Sequence, residues 1–199
     1  MLSIVIWSLI LCGIFALLIL ASKSQAEEEE KNKKMIKECG EYLEQQIEET
    51  GFNSNIKYSY ENQEYGILIV FSFDESAGTI LIMNSRKQCD LIKFSDVIGY
   101  EVMEDNQVVG GISRAVVGGI IAGGAGAIIG SQTAHKKKVY SYGIAIYMND
   151  IKNPRMMIPI ITHAIEPHVK EYKKAIEFAD HIGITLKTII ARNQAAINQ

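Results

Sequence analysis

The residues of this 199-residue chain that could do chemistry are four histidines, three cysteines and one glycine-rich run. His163 and His168 are the nearest histidine pair, but their spacing is not a helical ligand spacing and Pro167 interrupts it. No carboxylate or cysteine completes a ligand set beside them, and His135 and His181 stand apart. Surface or capping roles are therefore expected for all four. Cys12, Cys39 and Cys89 are scattered, with no CxxC or Cys/His spacing, which supports neither a disulfide framework nor a zinc site. No GxSxG or HExxH occurs, and Asp74-Glu75 sits among turn residues. The sequence thus assigns no catalytic residue, no cofactor and no metal, and the expectation is that the protein is not an enzyme.

The glycine-rich run carries more. Residues 115–134, AVVGGIIAGGAGAIIGSQTA, have no charge, with Arg114 before them and Lys136, Lys137 and Lys138 after. Gly119-x-x-x-Gly123 and Gly126-x-x-x-Gly130 each leave one helix face bare, so that another backbone can approach closely. In water so many glycines would destabilise a helix by several kcal/mol, about 1 kcal/mol each. A close partner or a lipid environment offsets that cost. The favoured reading is a hairpin of two short helices turning near Gly123-Gly124. Its small-residue face, Gly119, Gly123, Gly126 and Gly130, would serve membrane contact or self-association, or fold back on the domain.

Two other readings compete with the hairpin. A second transmembrane helix would put Val139 to Ile161 across the membrane from Gly51 to Glu104 and carry three lysines outward. A nucleotide loop is suggested by Gly124-x-Gly126-x-x-x-Gly130 with Asp150 beyond, but no βαβ unit surrounds it and no Gly-Lys-Ser/Thr occurs. Lys136, Lys137 and Lys138 fit either acidic lipid headgroups, at about 1 kcal/mol each, or a solvated turn.

Other elements must position these residues. Leu2 to Ala21 is apolar, with no charged side chain before Lys23. About 20 helical residues rise about 30 Å, the thickness of the hydrocarbon core, so a single N-terminal transmembrane helix is expected. A cleaved signal peptide at Ser24-Gln25-Ala26 is disfavoured, because there is no basic n-region and the run is long. Lys23, Lys31, Lys33, Lys34 and Lys37 follow the run and none precedes it, which places the C-terminal side in the cytoplasm. Formal net charge is −3, so no basic field attracts nucleic acid and no nucleic-acid partner is expected.

After the anchor, Met35, Ile36, Cys39, Tyr42, Leu43 and Ile47 recur at helical steps, and Gly51 would end the helix. That stripe fits packing on its own domain, a stalk, or a short seam between copies. The period then changes. Asn55–Tyr60, Gly66–Phe73, Gly78–Asn84, Lys87–Phe94 and Ile98–Glu104 read as strands of an antiparallel meander. Val139–Met148 and Arg155–Ile161 follow, with Pro159 indicating an edge or a bulge. From about Pro167, Val169, Tyr172, Ile176, Ala179, Ile182, Leu186 and Ile190 form the stripe of one long helix.

The run GILIVFSFDESAGTILIMNSRKQCDLIKFSDVIGYEVMEDNQ resembles the core of bacterial pleckstrin-homology-like domains. Those repeat a strand, a turn, a strand, then a motif matched here by Ile92-Lys93-Phe94-Ser95-Asp96-Val97-Ile98 with Glu101 following. The resemblance covers roughly residues 55 to 192 and implies a fold more than a function. Bacterial and prophage proteins of this kind often carry a glycine-rich insertion at the matching place.

The expected architecture is therefore α+β. A transmembrane anchor at 1–22 leads into an amphipathic linker helix at 23–50. A pleckstrin-homology-like β-barrel or sandwich of about seven strands follows at 51–199, closed by the C-terminal helix, with a glycine-rich helical hairpin inserted at 110–138. The expected role is a membrane-anchored, cytoplasm-facing binding or assembly module with a lipid or protein partner and self-association. By resemblance it would be phage-related, as in superinfection exclusion. The alternative is an effector that oligomerises through its glycines to permeabilise the membrane.

Overall fold

The computed structural model describes residues 2–112 and 137–197; the side chains of 2–14, 16, 17 and 197 also lie outside the description. Helix α1 runs unbroken over Leu2–Thr50. Among the described residues no helix is long and apolar enough to cross a membrane. The expected anchor falls almost wholly on side chains outside the description.

Gly51, at φ +65°, ends α1 in a Schellman turn. Phe52 N donates to Ile47 O at 3.2 Å and Gly51 N to Glu48 O at 3.4 Å. The side chains of Phe52 and Ile47 belong to one apolar cluster, which fixes the angle at which the chain leaves the helix.

Among the described residues, eight strands follow in two four-stranded antiparallel sheets. The first has the order β1 (Ile56–Asn62), β2 (Ile67–Asp74), β3 (Thr79–Asn84), β4 (Cys89–Lys93). The second has the order β6 (Gln107–Ile112), β5 (Val97–Glu104), β7 (Tyr142–Met148), β8 (Arg155–Ile161). Of the expected barrel or sandwich, the described strands form two separate sheets and no closed barrel. A 3-10 turn at Phe94–Asp96 interrupts the chain between β4 and β5 and carries it into the other sheet; among the described residues β1 and β4 are the edges of the first sheet and β6 and β8 those of the second. Pro159 is both on an edge strand and beside a register shift, where the missing N–H is tolerated.

Strand β6 is the element beyond the expected seven. Glu104 pairs with Gln107 across a two-residue turn, with Asp105 and Asn106 at φ 48° and 64°. That is a hairpin turn whose twist matches the strands. Gly110–Ile112, read from the sequence as the start of the insertion, are the last residues of β6. Gly111 is required there, since a Cβ would lie 2.3 Å from Tyr100 O.

Strand alternation divides β2 and β3 between two cores. Ile69, Phe71, Phe73, Ile80 and Ile82 face the second sheet, together with Tyr100, Ile144 and Ile146. Leu68, Val70, Leu81 and Met83 face the opposite way, against Ile36, Cys39 and Leu43 of α1. Each such side chain fully withdrawn from water contributes about 1.5–3 kcal/mol. The stripe on α1 therefore packs on its own domain. Helix α2 (Lys170–Ile197) closes the main core with Tyr172, Phe178, Ile182 and Leu186. Its last turns are pinned by Asn193, whose Nδ2 donates to Phe94 O at 2.6 Å and Val97 O at 3.1 Å.

Candidate functional site

The turn between β1 and β2 and the turn between β5 and β6 converge on the first turn of α2. Asn62 donates through Nδ2 to Glu171, while Tyr172 donates through its hydroxyl to Glu104. Glu104 is only 1% exposed. Burial, and then the neighbouring Glu104 carboxylate, hold the Tyr172 phenol far above its ordinary pKa, so it stays a donor. Burial and Glu171 likewise push Tyr60 up to about 12.

His163 joins the same end of the domain. Its ring stacks on Tyr65 at 3.5 Å between centroids. Its Nε2 lies 3.3 Å from Glu171 Oε1, within ion-pair reach but not aligned as a hydrogen bond. The β1–β2 turn is also held to α1, because Asn32 Nδ2 donates to Glu64 O at 2.9 Å. A helix, a hairpin tip and the β8–α2 connection are thereby fastened together at one end.

The chain returns from the glycine-rich insertion at this end. Asp105 accepts from Tyr140 N at 2.8 Å and Ser141 N at 3.1 Å, and its own N donates to Ser141 O at 2.9 Å. Val139 and Ile165 exchange N–H···O bonds at 2.8 Å each. The insertion leaves at Ile112, opposite Tyr100, and β7 begins opposite Glu104. Its return point is thus displaced about 13 Å along β5 from its departure, toward the α2 N-terminus.

Gly119, Gly123, Gly126, Gly130 and Lys136 lie outside the described residues. Lys137 and Lys138 are exposed where the chain re-enters, beside Tyr140 at 64% exposure. Of the remaining sequence candidates, His168 meets Glu166 at 3.1 Å on the surface and His181 stacks on Tyr58. His135 is outside the described residues. Asp150 caps its own turn by accepting from Lys152 N at 2.8 Å. Cys39 donates to Ser85 O, and burial raises both its pKa and that of Cys89, which suits inert packing thiols. Among the described residues no three His, Cys, Asp or Glu side chains gather as metal ligands.

Glu104, Asp105 and Glu171 were not singled out in the sequence. Asp105-Asn106 carried a turn signal. Glu104 and Glu171 looked like ordinary polar residues at the ends of elements.

Residues 55–162 match the family described as glycine zipper containing PH domain. The chain is 30% identical over 170 residues to the SPbeta prophage-derived membrane protein YomJ of Bacillus subtilis, covering 81% of this chain and 72% of that protein. It is 32% identical over 119 residues to the immunity protein of Bacillus phage SPbeta, covering 55% of this chain and 59% of that protein. No solved structure matches. The matched span is over half the chain and contains both sheets, so this chain belongs to the family of glycine zipper containing PH domains.

Proposed function

We propose that this chain is a membrane-anchored, cytoplasm-facing protein of phage immunity type that acts by binding and self-assembly and not by catalysis. The carrying observation is the unbroken course of α1 from the apolar run to its docking stripe on the first sheet. From Asn32, level with the β1–β2 turn, back to Ala21 the helix rises about 16 Å. With Leu2 to Ala21 in the bilayer, the end of the domain that carries His163, Lys137, Lys138 and the return of the insertion is the end nearest the membrane. Lys137 and Lys138, with Lys136, then meet anionic headgroups, and Gly119, Gly123, Gly126 and Gly130 hold the insertion against lipid or a second copy. The names of the two relatives, a membrane protein and an immunity protein, support the same reading.

The test is phage challenge of cells expressing the chain. Wild type is expected to fractionate with membranes and to protect. Deleting residues 1–23 should release the chain and abolish protection, whereas Gly123→Leu/Gly126→Leu should abolish protection with fractionation unchanged. A truncated chain that still pellets would overturn the single anchor. Dye leakage from liposomes by wild type, absent in the glycine variant, would replace immunity by membrane permeabilisation.

A further inference from the structure

The open seam between β4 and β8 holds a cleft of about 640 Å³. That volume is within the range of small-ligand sites, about 300–1,000 Å³. Its lining is mixed: Ile67, Met156 and Pro159 offer apolar surface, and Asn84, Ser85 and Gln88 polar surface. Two opposite charges stand on the same lining, Arg86 and Asp90, both exposed. Among the described residues neither side chain has an ion pair or hydrogen bond. Tyr65 and Thr162 put the mouth at the end of the domain that carries the β1–β2 turn and the β8–α2 connection.

We infer that this seam binds a zwitterionic amphiphile: an apolar chain lies between the sheets, and a head with an anionic and a primary-amine centre meets Arg86 and Asp90. The apolar side chains offer the chain contact surface, and a guanidinium and a carboxylate without a partner among the described residues are complementary to a head bearing both signs. An extended peptide fits less well. Two free edges flank the seam, but Pro159 lacks an N–H and blunts β8 against strand addition. The inference rests on the membrane reading only for the ligand's source, the bilayer beside the mouth.

The methionines supply the readout. Met35 and Met156 line the cleft, whereas Met83 lies under α1 and Met148 in the main core. The full chain, in phosphatidylglycerol nanodiscs with isotope-labelled methionine methyls, is titrated with soluble dihexanoyl phosphatidylethanolamine. Parallel titrations use dihexanoyl phosphatidylglycerol and an extended valine-threonine hexapeptide.

Phosphatidylethanolamine should shift the methyls of Met35 and Met156 and leave Met83 and Met148 in place. Arg86→Gln should weaken its binding about tenfold, and Asp90→Asn should remove the preference over phosphatidylglycerol. Unchanged Met83 and Met148 signals certify the fold of each variant. Shifts at no methyl, shifts at every methyl, shifts with the peptide alone, or equal affinities across the variants would each overturn the site. Because the probe is offered from solution, such a failure leaves the anchor untouched, and failed fractionation leaves the cleft untouched.

Discussion

The two sheets have the same strand number and the same antiparallel pairing, yet their outer faces differ. On the first sheet, Leu68, Val70, Leu81 and Met83 are buried under α1. On the second, the outer face carries a polar row. Tyr147 donates to Glu101 Oε2 at 2.6 Å, and Arg155 lies 5.9 Å from the Tyr147 ring. β2 is therefore buried along almost its whole length, while β5 alternates. A strand covered on both faces reads as a continuous apolar run; a strand covered on one face reads as alternation. The helix that carries the apolar N-terminal run thus uses the first sheet as its mount.

The most direct way to break this contrast is to truncate one outer-face side chain on each sheet. Leu81 is 3% exposed beneath α1, and Met157 is 44% exposed on β8. Leu81→Ala should cost about 2–5 kcal/mol, the loss expected for a buried leucine. Met157→Ala should stay within about 0.5 kcal/mol. Urea denaturation of both variants measures the difference. Equal costs would mean that α1 does not cover the first sheet in solution.

The second sheet has its own buried feature, at its end. Tyr172→Phe removes the hydroxyl that donates to Glu104 while keeping the ring in contact with Tyr142. Hydrogen bonds to charged groups contribute about 1.5–3 kcal/mol, so a loss of that size is expected by thermal or urea unfolding. A neutral result would show that Glu104 is held by its other contacts.

The contrast between the sheets was partly legible in the sequence. The apolar runs of β2 and β3 and the stripe from Met35 to Ile47 are strong local patterns, and each became the expected element. Which surface the stripe meets depends on residues far along the chain, Leu68 and Leu81 among them, so spacing alone left packing, stalk and seam open. β6 was hidden because Gly110-Gly111 resembles the glycine-rich run after it; the close approach of Gly111 to Tyr100 O explains that glycine as part of a strand. The cluster at the start of α2 was not legible, because Asn62, Glu104, His163 and Glu171 come together only through tertiary packing. The 3-10 turn at Phe94–Asp96, where the chain passes from one sheet to the other, left no signal beyond a short polar break.

A smaller effect distinguishes the sheets by pH. Asp74 ties the segment after α1 to the β2–β3 turn, accepting from Asn53 N, Ser76 N and Ala77 N at 2.9 Å each. The Ser76 hydroxyl is the strongest influence on its carboxyl, and together these donors lower the pKa to about 2. A folded pKa below the unfolded one gives stability that is present above the unfolded value, about 3.9, and lost as pH falls through the folded value. The urea midpoint should therefore fall between about pH 4 and pH 2, and Asp74→Asn should flatten that segment of the profile. The same slope in both proteins would assign the acid sensitivity elsewhere.

The smallest effect is expected where α2 touches the first sheet at its far end. Arg192 Nη1 lies 3.0 Å from Glu75 Oε1, but the two side chains are 63% and 44% exposed. Water screens such a pair and both long side chains lose freedom, so the net contribution is about 0–1 kcal/mol. Asn193, the next residue, makes two bonds to backbone carbonyls in a half-buried site. Arg192→Ala should leave the unfolding midpoint nearly unchanged and insensitive to salt, whereas Asn193→Ala should cost about 1–3 kcal/mol by stripping donors from partly buried acceptors. If Arg192→Ala proved the more damaging, α2 would be held to the first sheet by surface charge, and the burial that separates the two sheets would not set the position of that helix.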